Sequence, residues 1–555
     1  MTFAALLLLA AFPPDPYIGY INPSAVAVGT TNRLVVGGQY FNRVSDAWVS
    51  GGGVTILGVE EVPRFPYADS RQSLYLKGWL DAIARGETAA PPMPELKPTD
   101  VWRTNRWWQT LGSLGPVERE LVERELWVRR DPLQSAPSLA SRLIVTVAVA
   151  PDAAPGRRQF RVYRDNALSE PRPLDVVTAP VTAEPRYLPP SRKAPERAPL
   201  ADFPCVFTGC IMPGETDVIP LRLKRGRGFS VTVTGRAYQP YIGDAVPGFF
   251  NPAIVLKGPD GRELAFADDY AGMDPDPRLV CDIPADGDYT LELHDVLYRG
   301  REDFVYTVSF AEGASAAELS TVALPLERTF ELSAPARRVI DVKARRLGSM
   351  MDPRITLTDD RGRVVGVWDD VTNAVHFGSI VQTELDPVVC CDLPAGRYTV
   401  SVDDTCGRRG PGVFCELDIR PPRPSFRLTS HRSGFALGEE SRWPHREIKF
   451  SVERFEGFDG PITLRDTADV KFRKAVIPAH TNEWEVTARC VRKYSGGGPK
   501  EFEIAAVGKS AAGEVHGEVV AADEYDQAFA WRHLLSFGKF VYLCKRAPKT
   551  EKKGK

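Results

Sequence analysis

The chain is poor in the residues that build metal and nucleophile sites. Its 555 residues include only 7 His, 9 Cys and 6 Met. No two cysteines stand at CxxC spacing and no Cys/His group has zinc-ligand spacing, so the sequence carries no zinc module. It has no HExxH, no GxSxG and no glycine-rich phosphate loop. No apolar run reaches the roughly 20 residues that a membrane-spanning helix needs. An excess of one charge is missing too. Lys+Arg is 70 and Asp+Glu 72, a net charge of −2, without the basic footprint of a nucleic-acid binder. At 43% hydrophobic and 26% charged, the chain is not disordered as a whole.

What it has in quantity is Pro (47) and Gly (46), which suits short strands joined by turns. The length allows roughly three to five domains. Two segments repeat. FNPAIVLKGPDGRELAFADD (Phe250–Asp269) aligns with MDPRITLTDDRGRVVGVWDD (Met351–Asp370), and DPRLVCDIPADGDYTLEL (Asp276–Leu293) with DPVVCCDLPAGRYTVSV (Asp386–Val402). Cys281 thereby matches Cys391, and both are expected to be core thiols. Two modules follow, over 204–311 and 320–420. Phe229, Val231 and Val233 alternate with polar residues, as do Tyr398, Val400 and Val402, which marks strands with one buried face.

The flanks are read in the same way. Residues 1–15 hold an apolar run, Ala4–Phe12, of the length of a signal-peptide core, although no basic residue precedes it. A buried first strand is the alternative. Residues 16–178 show strands at both ends and helical character near 69–135, where Pro116 opens an amphipathic stretch. That segment also holds Trp79, Trp102, Trp107, Trp108 and Trp127, read as anchors that dock the insertion, or else as a binding cluster. Residues 179–203 read as a Pro-rich linker, 425–545 as a fourth β unit and 546–555 as a basic tail. The fold class is all-β: tandem β-sandwich domains, immunoglobulin-like and jelly-roll-like, with one helical insertion in the N-terminal domain. Sandwiches on such linkers are expected to hold binding surfaces apart.

The paired modules resemble the bacterial pre-peptidase C-terminal domain. The residues that carry this are GCIMPGETDVIPLRLKRGRGFSVTV (Gly209–Val233), ARRLGSMMDPRITLTDDRGRVV (Ala344–Val365) and the segments IPADGDYTLEL and LPAGRYTVSV. PYIGYINPSAVAVGTTNRLVVGGQYF (Pro16–Phe41) looks like the immunoglobulin-like domain of plexins and transcription factors. The resemblance implies an exported protein (periplasmic, cell-surface or extracellular) built of accessory modules, with no catalytic residue.

The loop ADDYAGMDPDP places Asp268, Asp269, Asp274 and Asp276 together, candidates for a calcium site, since Ca²⁺ takes six to eight oxygens. Turn capping by the same aspartates is the alternative. Asp369 and Asp370 hold the equivalent place in the second module. Cys406 and Cys415 flank a hairpin loop and are candidates to pair, whereas Cys205 and Cys210 lie along one strand, too far apart to bridge. The expected function is a non-catalytic binding, adhesion or cell-surface structural role, with an unknown protein or polysaccharide as partner. The alternative is an accessory or remnant subunit of a secreted hydrolase.

Overall fold

The computed structural model describes residues 15–63, 70–87, 89–92, 105–127, 141–164, 167–184, 197–239, 248–270, 276–314, 319–373, 382–437, 446–491, 498–527 and 531–544. The apolar run at the start, Trp102, Asp274 and the basic tail lie outside them. The chain is all-β, arranged as successive sandwiches. No described helix is long and apolar enough to cross a membrane.

In the N-terminal unit a sheet of Tyr17–Asn22, Thr31–Gln39, Ser141–Val149 and Val54–Glu61 faces a second one of Ala25–Ala27, Arg172–Val177, Gly156–Arg164 and Asp46–Val49. Leu34, Val36, Val145, Phe160 and Val162 fill the space between. The helices interrupt one antiparallel pair, because Val54–Glu61 and Ser141–Val149 are hydrogen-bonded neighbours. The ends of the insertion are therefore held together already, which keeps loop closure inexpensive. Helix Pro116–Trp127 starts on its proline, whose missing N–H has no partner to lose there. Glu118 on this helix pairs with Arg33 of the host sheet. Asn105 caps the short helix Arg106–Gln109 by accepting the N–H groups of Trp107 and Trp108. Trp79, Trp107 and Trp108 are 8, 3 and 1% exposed and pack with Val62 and Ile144 of the host. These tryptophans are docking anchors.

The repeat is a repeat of topology. In the first module the strands Asp217–Leu223, Gly287–Asp295, Pro252–Lys257 and Glu263–Ala267 lie in that order. In the second module Leu326–Leu332, Gly396–Asp404, Pro353–Asp359 and Val364–Trp368 take the same places. Gly287–Asp295 and Gly396–Asp404 bury alternate residues in identical patterns, as the period of two requires. In the opposing sheets, Arg278–Asp282, Gly228–Thr234 and Val305–Glu312 correspond to Val388–Leu393, Ala336–Lys343 and Glu416–Arg420. The first module adds Cys205–Cys210, with no counterpart among the described residues of the second. Val181–Ala183, inside the Pro-rich stretch, pairs in parallel with Cys205–Cys210. All nine cysteines are free, Cys406 and Cys415 included, so the hairpin is closed by backbone alone. Cys281 and Cys391 are half-buried, each packed against the core of its own module.

The sandwiches are not held apart. Arg142 of the N-terminal unit makes a bidentate pair with Glu302 of the first module, at 5 and 4% side-chain exposure, and the Tyr20 hydroxyl donates to the same carboxylate. The Tyr270 hydroxyl of the first module donates to the Gly348 carbonyl of the second. Arg420 of the second module forks onto Glu456 of the C-terminal unit at 2.6 and 2.7 Å. The C-terminal unit returns to the first: fully buried Arg161 donates to Ser433, Tyr525 to the Pro171 carbonyl, and Gln159 to the Lys539 carbonyl. The contacts form a closed circuit. Buried charged side chains at these junctions find their partners across them, which linkers alone would not provide.

Candidate functional site

The four aspartates of the 268–276 loop do not gather as ligands among the described residues. Asp268 is half-buried and Asp269 exposed. Asp276 is buried and accepts the N–H groups of Gly235, Arg236 and Ala237 at 3.0, 2.8 and 3.2 Å. Asp386 does the same for Ala344, Arg345 and Arg346 at 3.1, 2.8 and 2.9 Å. The Asp-Pro of the repeat thus caps a turn in both modules and satisfies backbone donors that would otherwise be buried without partners.

The carboxylates that do converge are Glu184, Glu215 and Asp217, whose oxygens lie within 4.8 Å of one another. Glu215 and Asp217 come from the Pro-Gly-Glu-Thr-Asp turn that opens a strand. Glu184 arrives because Val181–Ala183 joins the opposite sheet and delivers the next residue there. Each carboxylate already accepts one hydrogen bond: Glu184 from the Cys210 N–H at 2.9 Å, Glu215 from the Met212 N–H at 2.9 Å, and Asp217 from the Tyr306 hydroxyl. Burial, then repulsion from Asp217 and Glu215, holds Glu184 well above the usual carboxylate range. Burial and the Glu215 charge push Asp217 up to about 7, and burial also raises Glu215. Such a group retains protons near neutral pH, or offers a hard cation three of the six to eight oxygens that calcium takes. The sequence reading missed it, since Glu184 sits in a segment that reads as linker.

His431 joins a serine to a carboxylate. Its Nε2 is 3.0 Å from Ser451 Oγ and its Nδ1 2.7 Å from Glu524 Oε2. These are the distances of a nucleophile–base–orienter chain. The setting differs. Ser451 lies inside strand Arg446–Phe455, paired with Thr429 on one side and Glu483 on the other, and is 5% exposed. An attacking serine needs an open approach and free N–H donors for the developing oxyanion. Here the trio ties strand Arg446–Phe455 to Asp523–Gln527.

An open hollow of about 550 Å³ lies where the second module meets the C-terminal unit. The Arg420–Glu456 fork forms part of its wall, beside Arg423, Ser425, Glu514 and His516. The lining mixes donors and acceptors and carries no aromatic ring.

The chain matches no protein-family model and no curated protein. Solved structures give faint likenesses. One is the SGBP-B protein of the Bacteroides ovatus mixed-linkage glucan utilization locus, solved with a mixed-linkage heptasaccharide: 8% identity over 71% of this chain and 75% of that one, TM-score 0.14. A second is an ectodomain fragment of ICAM-5, with 10% identity over 96% and 100% of the two chains and a TM-score of 0.12. A third is trypsin-activated alpha-2-macroglobulin from Escherichia coli, with 8% identity over 92% and 31%, and a TM-score of 0.15. Likenesses of this size carry no inference about role.

Proposed function

We propose that the chain is a non-catalytic, exported multidomain binding protein. Its ligand is a polar polymer, a polysaccharide or an extended protein segment, held in the hollow between the second module and the C-terminal unit. The observation that carries this reading is the lining of that hollow. Arg423, Ser425, Glu514 and His516 supply both donors and acceptors beside a neutralised Arg420–Glu456 pair. Its volume falls within the roughly 300–1,000 Å³ of small-molecule sites, enough for a few residues of a polymer. The resemblance of the two modules to pre-peptidase C-terminal domains supports an accessory role, and the apolar segment at the start supports export. The enclosure of Ser451 supports the absence of turnover.

The test uses the full chain on affinity gels carrying neutral and acidic polysaccharides, with an array of unfolded polypeptides beside them. Retardation by one class is expected, and Arg423→Ala with His516→Ala should weaken it at least about tenfold, the loss of roughly 1.4 kcal/mol of polar contact. Absence of binding to every probe, or binding indifferent to the double variant, would overturn the assignment of the hollow. A fluorophosphonate label on Ser451, lost in Ser451→Ala, would overturn the non-catalytic reading.

A further inference from the structure

The two modules end their four-stranded sheets on equivalent edge strands, Glu263–Ala267 and Val364–Trp368. Edge strands present unpaired backbone groups, and proteins shield them with charges, prolines or a covering element. Val364–Trp368 has neither charge nor proline, and among the described residues no strand pairs with its outer edge. Its side chains are β-branched and open to solvent: Val364, Val365 and Val367 are 60, 46 and 53% exposed. Gly366 and Trp368 are less exposed, and the Trp368 ring occupies the space a Gly366 Cβ would take. The counterpart strand carries Glu263, a charge of the kind that blunts an edge.

The flanking charges select an occupant. Arg363 precedes the strand and Asp369 follows it, both exposed. Laid antiparallel on a second copy of itself about Gly366, the strand sets Val365 against Val367 and Val364 against Trp368. The same register brings each Arg363 opposite Asp369 of the other copy. Every member of the register is complemented, twice, by one two-fold axis. Arg363 pairs with Asp359 in its own chain through Nε and Nη2, which leaves Nη1 for the facing carboxylate. Asp369 accepts only the Asp370 N–H among the described residues.

We propose that Val364–Trp368 is a self-association edge, on which two copies of this chain join their four-stranded sheets antiparallel through a two-fold axis at Gly366. Isologous two-fold contacts are the commonest in homo-oligomers, and strand addition draws its affinity from main-chain hydrogen bonds. One strand pair buries little surface, so the dimer is weak and concentration-dependent.

Sedimentation velocity of the full chain tests it, over a range up to about 100 μM, where a small interface of this type becomes populated. The wild type is expected to pass from monomer to dimer. Asp369→Arg and Arg363→Asp each place like charges opposite one another and should weaken dimerisation at least about tenfold. Each variant mixed with the other restores both opposite-charge pairs and should regain the dimer as a heterodimer. Val367→Lys, with the melting temperature of the wild type, should remain monomeric. A wild type that stays monomeric throughout, a dimer untouched by Asp369→Arg and Val367→Lys, or a mixture that fails to associate would each overturn the proposal.

Discussion

Replacing Asp217 by Asn should stabilise the first module, and more so at alkaline pH. Burial lifts Asp217 from an ordinary 3.8 to about 7. A carboxylate whose folded pKa is raised contributes fully below its unfolded value and loses that contribution as pH climbs through the folded value. The gap of roughly three pH units, at about 1.36 kcal/mol each, sets an upper bound of about 4 kcal/mol above pH 7. Glu184 and Glu215 share the strain, so an observed gain of about 1–3 kcal/mol is expected. Asn keeps an oxygen for the Tyr306 hydroxyl and adds N–H donors toward the other two carboxylates. Between pH 5 and 8.5 the advantage of Asp217→Asn should widen by about 1–3 kcal/mol. Hydrogen exchange of peptides from Asp217–Leu223, corrected for intrinsic rates, isolates this module in a chain whose bulk unfolding is not two-state. A chelator keeps stray cations from replacing the missing protons. If Asp217→Asn destabilises the module at pH 8.5, or shifts it equally at both pH values, the account of the cluster as mutually repelling acids is wrong.

Other junctions and caps give sharper losses. Glu302→Gln leaves the Arg142 guanidinium buried without its counter-charge and should cost about 3–5 kcal/mol, read as faster proteolysis between the N-terminal unit and the first module, whereas Arg142→Met with Glu302→Leu should be milder. Asp276→Ala and Asp386→Ala each strand three backbone donors and should each destabilise their own module by about 1–3 kcal/mol, measured by local hydrogen exchange. A thiol reagent should label exposed Cys390 and Cys406 first and buried Cys210 and Cys490 only on unfolding, with Cys281 slow because burial pushes its thiol up to about 11; prompt labelling of Cys210 would contradict its place beside Arg124 and Met212.

Local chemistry explains why part of this was legible. Alternation in Gly228–Thr234 and Gly396–Asp404 announces a strand with one buried face, and the Asp-Pro pairs at Asp276 and Asp386 announce a duplicated turn. Pro116 marks its helix. The aspartates of the 268–276 loop were legible only as a choice between ligand and cap, since both uses want the same residue at a strand end. What escaped the sequence has no period. Glu184 meets Asp217 through a three-residue parallel pairing inside a Pro-rich stretch, His431 meets Glu524 through a turn of the whole C-terminal unit, and Arg142 reaches Glu302 across a domain boundary. A one-dimensional pattern encodes which face of a strand is wet. It does not encode which distant carboxylate a buried arginine will find.

The closed circuit of sandwich contacts has a kinetic meaning. A unit that lets go at one junction is still tethered at another, so it searches for its lost partner within a small volume, at an effective concentration in the millimolar range. Brief opening at Arg161–Ser433 is then followed by recapture, because Arg420–Glu456 still holds the C-terminal unit near its place. Weakening either contact alone leaves the assembly shut most of the time, and weakening both releases the unit to swing. Coupling energy between the two junctions in a double-mutant cycle should therefore be large, although the residues involved never touch.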